Sequence, residues 1–311
     1  MSRLPAWLTA LCASTATFAA ADAAAELCAA WSEPRAAGAL DVSQLPEASG
    51  IAVASDGRRL YVLNDGTRPA FYVSALDGSG ATRVAVGGFA PRDMEDIAVG
   101  PCGTGRCVFI ADIGDNSARR DTIQIAVIDE LAGFGATVDA RRVVVARYPG
   151  GPRDAEAFAV DPAGNFWILS KARFGRSTPA VVYRLPAAAV SAGREVEFEQ
   201  VGEIPTASLS AIGAATRRVA TAMDFSPDGR RLAVLTYDVA YEIAVDSAES
   251  LTAPPLPAAG AWQAGVTHRE IPIAPLIQAE SIAYADGGRT LLYTTESIAG
   301  SAAPIFSQTC R

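Results

Sequence analysis

Five oxygen-bearing side chains occupy the same position in a motif that the chain carries in five altered copies. When the copies are aligned, this column contains Ser49, Glu95, Glu156, Thr221 and Glu280. All five offer oxygen, the ligand atom of hard cations, and none offers the nitrogen or sulfur typical of zinc and copper sites. Calcium fits this set best, because it accepts about six to eight oxygens in loose geometry. The column therefore predicts a calcium site, provided that the fold brings its members together.

The spacing of the motif predicts how these five residues would meet. The copies recur at intervals of roughly 45–60 residues, which is typical of a propeller or a similar array. The innermost strand of each propeller blade lines a central channel, so a residue at its start joins a ring around the axis. Three carboxylates crowded there would repel, and at least one would be protonated unless a cation lay among them. An alternative stays open, in which the acidic residues only hydrogen-bond neighbouring loops or line a water-filled channel.

A second group of polar residues is expected at the same mouth of the channel. The second strand of each blade runs antiparallel to the first, so its end returns to that face. The residues at those ends are Asp65, Asp112, Lys171, Tyr237 and Glu296. If the chain is a hydrolase, Glu95, Glu156 or Asp112 would activate water beside the metal. Arg119 or Lys171 would hold the charge of the substrate, although single loop charges are also common in ordinary turns.

The repeated units predict an all-β fold, namely a five-bladed β-propeller of four-stranded antiparallel blades. Asp-Gly turns between alternating apolar runs, such as Asp56-Gly57 and Asp228-Gly229, indicate hairpins. The fifth unit lacks an outermost strand, and a weak strand candidate at Leu27–Trp31 lacks a sheet. We expect this N-terminal strand to complete the last blade and close the ring. A β-sandwich also has short strands at regular spacing, but it does not explain five similar openings.

The cysteines point to an oxidising compartment. Once Cys12 leaves with a signal peptide, the remaining four formally allow three disulfide pairings. Cys102 and Cys107 flank a tight Gly-rich loop and form the natural local pair, which leaves Cys28 with Cys310. That second bond would pin the closure of the ring, with a chain-entropy contribution of about 4–5 kcal/mol. Two free buried thiols remain the alternative.

The N-terminus predicts export. Arg3 and the apolar segment Leu8–Ala21 have the pattern of a signal peptide within residues 1–25, although the cleavage site is uncertain. The apolar segment is too short and too weakly hydrophobic to span a membrane. Residues 26–311 are then expected to form a single propeller domain. We expect a secreted or periplasmic monomer with no membrane span.

Charge and composition exclude several classes of function. The formal net charge is −8, and the 26 basic residues form no stripe, so nucleic-acid binding is not expected. Lys171 is the only lysine, and His268 is the only histidine and lies in a predicted outer strand. A Ser-His-Asp triad is therefore not expected, and no phosphate-binding glycine loop or nucleophile elbow is present. The partners left are a small anionic ligand or another protein.

Several segments resemble a family of uncharacterised exported bacterial β-propeller proteins. They are Ser49–Ala52, Glu95–Pro101, Asp112–Asn116 with Arg119, Asp154–Ala157 and Ser226–Gly229. The five-residue ring also resembles that of the calcium-dependent apyrases, which are five-bladed secreted nucleotidases with calcium at the channel centre. This resemblance implies calcium at the ring and hydrolysis of phosphoanhydrides. Phytase-like and lactonase-type propellers also use axial calcium, but they have six blades.

Two hypotheses of function follow. The first is a binding or scaffold module in which an axial Ca²⁺ is structural. The second is a calcium-dependent hydrolase of phosphoesters, phosphoanhydrides or lactones. The first is preferred, because a fold does not fix a function.

Overall fold

The computed structural model describes residues 26–171, 179–191, 195–210, 214, 217–245 and 261–311, and these are nearly all in strands and tight turns. The strands are, in chain order, β1 (Arg35–Leu40), β2 (Ala48–Val53), β3 (Arg59–Asn64), β4 (Ala70–Ala75), β5 (Thr82–Gly87), β6 (Met94–Cys102), β7 (Gly105–Asp112), β8 (Ile123–Asp129), β9 (Thr137–Asp139), β10 (Arg142–Arg147), β11 (Ala155–Val160), β12 (Phe166–Ser170), β13 (Ala180–Leu185), β14 (Val196–Glu197), β15 (Glu199–Ile204), β16 (Ala220–Phe225), β17 (Arg231–Thr236), β18 (Val239–Ala244), β19 (His268–Pro272), β20 (Ala279–Ala285), β21 (Thr290–Thr295) and β22 (Ala303–Thr309). A single helical turn, α1 (Ala187–Val190), and a 3-10 turn at Asp286–Gly288 complete the described elements.

The described strands form five sheets arranged around an axis. The inner strands β2, β6, β11, β16 and β20 each pack against the next, and β20 packs back against β2. Each inner strand is followed along its sheet by the antiparallel neighbours that come next in sequence. The structure therefore confirms the predicted five-bladed β-propeller.

The N-terminal part of the chain closes the ring, but with a different strand from the predicted one. Strand β1 pairs with β22, placing Arg35 opposite Ser307 and Leu40 opposite Ala303. The predicted strand at Leu27–Trp31 contributes only an isolated bridge between Trp31 and Cys310. Its position is wrong because the Cys28 N–H, which a sheet would require, donates to the buried carboxylate of Glu242 at 2.8 Å. The chain pairs with the last blade as a regular strand only from Arg35 onward.

Both predicted disulfides are present. Cys28 is bonded to Cys310 across 282 residues of sequence, with 5.6 Å between their Cα atoms. Cys102 is bonded to Cys107 across the hairpin between β6 and β7, with 5.8 Å between their Cα atoms. The long-range bond therefore joins the N-terminal segment to the end of blade 5, at the point of ring closure.

Two blades have a fifth strand that the sequence did not predict. Strand β9 pairs in parallel with β5 at the outer edge of blade 1, and β14 pairs in parallel with β10 on blade 2. Strand β9 lies just before β10 of blade 2, and β14 lies just before β15 of blade 3. Each crosses to the preceding blade and pairs with backbone N–H and C=O groups at its outer edge that would otherwise be unpaired. The segment Glu197–Val201 is consequently divided between two blades. Glu197 lies in β14 on blade 2, and β15 alone completes blade 3.

The predicted signal peptide at residues 1–25 falls outside the part of the chain that the structure describes. Within the described residues, no helix has the length and apolar character needed to cross a membrane.

Beneath the predicted ring, two carboxylates tie the inner strands together. Asp96 accepts hydrogen bonds from the N–H of Ile97 at 2.8 Å and of Phe158, on the next blade, at 2.9 Å. Asp224 accepts one from the N–H of Tyr284, also on the next blade, at 2.8 Å. Burial raises the pKa of Asp96 well above its ordinary value and that of Asp224 to about 7. The channel interior therefore contains its own polar links between blades.

Candidate cation site at the channel mouth

A β-bulge marks the ring position in all five blades. Pairing between the first and second strand shifts register at this point, between Ala48 and Gly50 in blade 1 and between Met94 and Asp96 in blade 2. The same shift occurs between the flanking residues in blades 3, 4 and 5. The extra residues are Ser49, Glu95, Glu156, Thr221 and Glu280, which are the five members of the predicted column. A bulge redirects the side chain of its extra residue. The repeated column of the sequence therefore corresponds to a repeated structural position in the five blades.

The three ring glutamates are buried and lie close enough to perturb one another. Their exposed fractions are only 6% for Glu95, 8% for Glu156 and 5% for Glu280. Burial, followed by the charge of Glu156, raises the pKa of Glu95 and of Glu280 well above the ordinary value. Burial also raises the pKa of Glu156, to about 7, against the opposing effect of Lys171. The mouth therefore holds several carboxylates that resist being ionised together.

Lys171 supplies a positive charge inside this acidic mouth. Its ammonium group forms an ion pair with Glu156 Oε1 and lies 5.5 Å from the centre of the Tyr237 ring. Burial lowers the pKa of Lys171, but the charges of Glu156 and Glu280 outweigh that effect and raise it above the ordinary value. The amine therefore stays protonated and balances one side of the ring.

A compact cluster of carboxylates lies where blades 1 and 2 meet. Asp65, Asp93 and Glu95 each place one carboxylate oxygen within 4.8 Å of the others. Burial, and then the charge of Asp93, raises the pKa of Asp65 to about 6, and burial also raises that of Asp93. Gly114 lies directly against this cluster. A Cβ added to Gly114 would lie 2.5 Å from Asp93 Oδ2 and closer still to Glu95 Oε1.

Three buried oxygens at this mouth have no hydrogen-bond partner among the residues that the structure describes. They are Ser49 Oγ, Asp65 Oδ1 and Glu156 Oε2. Buried polar atoms normally have partners, so these three oxygens are available to a ligand that enters the mouth. Thr221 differs, because its hydroxyl donates to the carbonyl of Ala279 at 2.7 Å. The oxygen-only donor set, its burial and its orphaned atoms all fit a hard divalent cation.

The remaining predicted residues have different surroundings. Asp112 is fully buried and pairs with the guanidinium of Arg120 at 2.6 Å. It also accepts hydrogen bonds from the N–H groups of Arg92 and Asp93. Asp112 therefore positions the chain at Asp93. Arg119 has an exposed side chain, and it is Arg120 that Asp112 engages.

Of the other predicted residues, Glu296 lies at the mouth and His268 lies in an outer strand. Gln278 Nε2 donates to Glu296 Oε2 at 2.7 Å and to Glu280 Oε1 at 3.4 Å. Burial, followed by the charge of Asp65, raises the pKa of Glu296 to about 7. His268 is buried in β19, an outer strand, as expected.

Sequence reasoning missed that Asp65 and Asp93 join Glu95 in one cluster. Asp65 is predicted only in the second group, and Asp93 lies two residues before the ring residue Glu95. The sequence feature related to this cluster is Gly114 in the Asp112-Ile113-Gly114 segment. Its missing Cβ leaves room for the carboxylates of Asp93 and Glu95.

Comparisons with known proteins give distant likenesses only. No family model matches the chain. No curated protein matches it either. Among solved structures, the chain is similar to the holo form of the pyranose dehydrogenase PQQ domain from Coprinopsis cinerea, at 13% identity, over 84% of this chain and 81% of that one, with a TM-score of 0.47. It is similar to a nidogen/laminin complex at 13% identity, over 80% and 72%, with a TM-score of 0.44.

A third likeness is to the periplasmic gluconolactonase PpgL of Pseudomonas aeruginosa. The identity is 11%, the coverage is 82% of this chain and 68% of that one, and the TM-score is 0.41. At these values none of the three structures indicates a function for this chain. Membership of the exported propeller family, and the likeness to apyrases, stay predictions.

Proposed function

We propose that this chain is an exported β-propeller that binds one divalent, calcium-type cation at the mouth of its channel and uses that face to bind a ligand. The observation that carries the proposal is the cluster of Asp65, Asp93 and Glu95, whose carboxylate oxygens lie within 4.8 Å of one another. Two further ring residues, Ser49 and Glu156, are more than nine-tenths buried. Each has one oxygen without a hydrogen-bond partner among the described residues.

The charge balance of the mouth supports a divalent ion. Lys171 pairs with Glu156, whereas Asp65, Asp93 and Glu95 form no ion pair with any residue that the structure describes. The charges of Lys171 and Arg120 offset only part of their burial and repulsion. Their raised pKa values show that burial and mutual repulsion oppose their ionisation. A dication would relieve both effects, with Asp65, Asp93, Glu95, Ser49 Oγ and Glu156 Oε2 as its oxygen donors. When bound, it would supply a positive centre that attracts an anionic group.

The chain's own residues would then bind and orient that ligand. Lys171 Nζ has three N–H donors, of which Glu156 Oε1 occupies one and the Tyr237 hydroxyl another. The third would be offered to an oxyanion that enters the mouth. A small anionic molecule or an acidic surface of a protein partner has this chemistry. The two disulfides are consistent with the extracellular or periplasmic location that this proposal includes.

A calcium-dependent hydrolase is the second candidate, and one observation favours it. Burial raises the pKa of Glu156 and of Glu296 to about 7, so either carboxyl could exchange a proton near neutral pH. The substrate classes are phosphoesters, phosphoanhydrides and lactones. A screen of nucleotides, phytate and lactones, with calcium and with chelator, separates the candidates. Turnover that Glu156→Gln abolishes would favour the hydrolase. No turnover of any of these substrate classes would favour the binding module.

The proposal is tested by calorimetric titration of calcium into chelator-treated protein, with elemental analysis of the purified protein beside it. We expect one equivalent of calcium. A hundredfold excess over Kd should raise the free energy of unfolding by about 2.7 kcal/mol. Glu95→Gln removes a charged ligand and should weaken binding by about 10- to 100-fold.

Glu197→Gln is the matched control. It makes the same change on the exposed outer edge of blade 2, where Glu197 pairs with Arg147. This variant should bind calcium as the wild type does. Absence of calcium binding in the wild type, or unchanged binding in Glu95→Gln, would refute the proposal.

A further inference from the structure

We propose that a cavity between blades 2 and 3 is a second binding site, which takes a small aromatic monocarboxylate. The cavity lies on the face of the propeller opposite to the channel mouth. Strand β6 begins at the mouth with Met94 and Glu95, and it ends at Cys102, which lines the cavity. The cavity is therefore a site separate from the candidate cation site.

The cavity has the size of a small-molecule site. Its volume is about 390 Å³, within the range of about 300–1,000 Å³ that is typical of such sites. Its rim includes the hairpin turn at Cys102 and Gly103, the turn at Ala163 and Gly164, and α1. The disulfide from Cys102 closes the first of these turns covalently. The walls are thus formed by tight, well-defined connections of two neighbouring blades.

The floor of the cavity is apolar and aromatic. Phe109 and Val127 from blade 2 and Phe166 from blade 3 are all buried there. The rings of Phe109 and Phe166 meet edge to face, with 5.1 Å between their centroids. Aromatic pairs gain free energy beyond the burial of their area, so this floor favours a ligand with an aromatic ring.

The register of the sheet places one guanidinium on the cavity side of blade 2. Phe109, Val127 and Arg142 lie directly opposite one another on the adjacent strands β7, β8 and β10. Cross-strand partners share one face of a sheet, so this row leads from the aromatic floor to a positive charge. Val144, two residues further along β10, is buried in the core cluster that contains Phe109 and Val127. Side chains two residues apart on a strand share a face, which gives Arg142 the same orientation.

Arg142 has no counter-ion among the residues that the structure describes. It is half-buried, and its guanidinium forms no hydrogen bond or ion pair with any of them. The neighbouring Arg141 is exposed and pairs with Asp129 at 2.9 Å. No acidic residue of the described chain lines the cavity. The cavity therefore offers one unpaired positive charge, and a guanidinium can bind both oxygens of a carboxylate at once.

The experiment is calorimetric titration of naphthoate, which combines a flat aromatic body with one carboxylate. Naphthylmethanol and protonated naphthylmethylamine present the same rings without the negative charge. We expect the wild type to bind one equivalent of naphthoate, and to bind the alcohol about 10- to 100-fold more weakly, because the alcohol cannot form a charged pair with the guanidinium. The amine should bind most weakly, since it carries the same sign of charge as Arg142.

Arg142→Met removes the charge and keeps an apolar side chain. It should weaken naphthoate binding by about 10- to 100-fold and leave the affinity for naphthylmethanol unchanged. Arg83→Met is the matched control, because Arg83 is exposed on β5, the fourth strand of blade 1, and does not line the cavity. This variant should bind naphthoate as the wild type does.

A second pair of variants tests the cavity itself. Ala187 and Ala188 are neighbours in α1, but only Ala187 lines the cavity, whereas Ala188 is exposed. Ala187→Trp should fill the space and abolish the binding of both naphthoate and naphthylmethanol. Ala188→Trp makes the same change beside the cavity and should leave both affinities unchanged.

Several outcomes would overturn the inference. They are no binding of naphthoate to the wild type at about 1 mM, equal affinity for naphthoate and naphthylmethanol, and wild-type affinity in Arg142→Met. An equal loss in Arg83→Met would show that naphthoate responds only to net charge. If Ala187→Trp does not fold, as judged by circular dichroism, the comparison of Arg142→Met with Arg83→Met decides.

Calcium separates this site from the channel mouth. Naphthoate should bind equally well in calcium and in chelator, whether or not the wild type binds the metal. Binding that requires calcium would place naphthoate at the channel mouth and would overturn the inference. Failure of calcium to bind would remove the proposed function and leave the cavity between blades 2 and 3 as a binding site.

Discussion

Gly114→Ala tests the carboxylate cluster without changing any charge. The added Cβ would lie 2.5 Å from Asp93 Oδ2 and closer to Glu95 Oε1, whereas ordinary contacts begin at about 3.5 Å. The carboxylates must therefore retreat by about 1 Å or more. Calcium–oxygen distances occupy a narrow range of about 2.3–2.6 Å, so a shift of this size takes a ligand out of coordination.

The expected loss of affinity follows from that displacement. Substitutions that disturb the orientation of metal ligands from behind typically cost about 10- to 100-fold in affinity. We expect Gly114→Ala to weaken calcium binding by this factor, equivalent to about 1.4–2.8 kcal/mol. The free energy of unfolding in chelator should fall by about 1 kcal/mol or less, because the displaced atoms are the ends of side chains that can rotate.

The assay is calorimetric titration of calcium, with urea unfolding in chelator to measure the stability of the metal-free protein. Gly105→Ala is the control, since a Cβ on Gly105, in the same blade, meets nothing within 4 Å. It should bind calcium like the wild type. Wild-type affinity in Gly114→Ala would show that the ion does not use Asp93 and Glu95, and the assignment of the cluster would be wrong.

Two further predictions concern stability. Replacing Cys28 and Cys310 by serine should lower the free energy of unfolding by about 5 kcal/mol, against about 2 kcal/mol for Cys102 and Cys107, because the closed loops span 282 and 5 residues. Equal losses in urea unfolding would contradict this ranking. Burial raises the folded-state pKa of Asp224 to about 7 from an ordinary 3.8, so its contribution to stability is complete below about pH 4 and is lost as the pH rises through 7. Asp224→Asn should therefore gain stability relative to the wild type between pH 4 and 8 in urea titrations, and a constant difference would disprove this linkage.

The architecture was predictable because its signals are local. Alternating apolar runs and Asp-Gly turns specify a hairpin from a few neighbouring residues, and five similar openings specify five blades. The ring column was found for the same reason, since Ser49 and Glu95 hold equivalent places in their units. The sequence also indicated both disulfides, once the short Cys102–Cys107 loop had taken one pair.

The errors all involve contacts between distant parts of the chain. The closing strand is Arg35–Leu40 because Glu242, more than 200 residues away, holds the Cys28 N–H. Strands β9 and β14 cross to neighbouring blades to cover their edges, which no pattern within one repeat can show.

The sequence by itself determined the fold, the ring of oxygen donors and the single lysine at its rim, since each depends on residue type at a repeated position. Only the tertiary structure decided which of these groups lie next to one another. The bulges place the five residues at equivalent points of the inner strands, Lys171 pairs with Glu156, and Asp93 and Glu95 both lie against Gly114. Charges interact through distance and burial, and both are set by the packing of blades against one another.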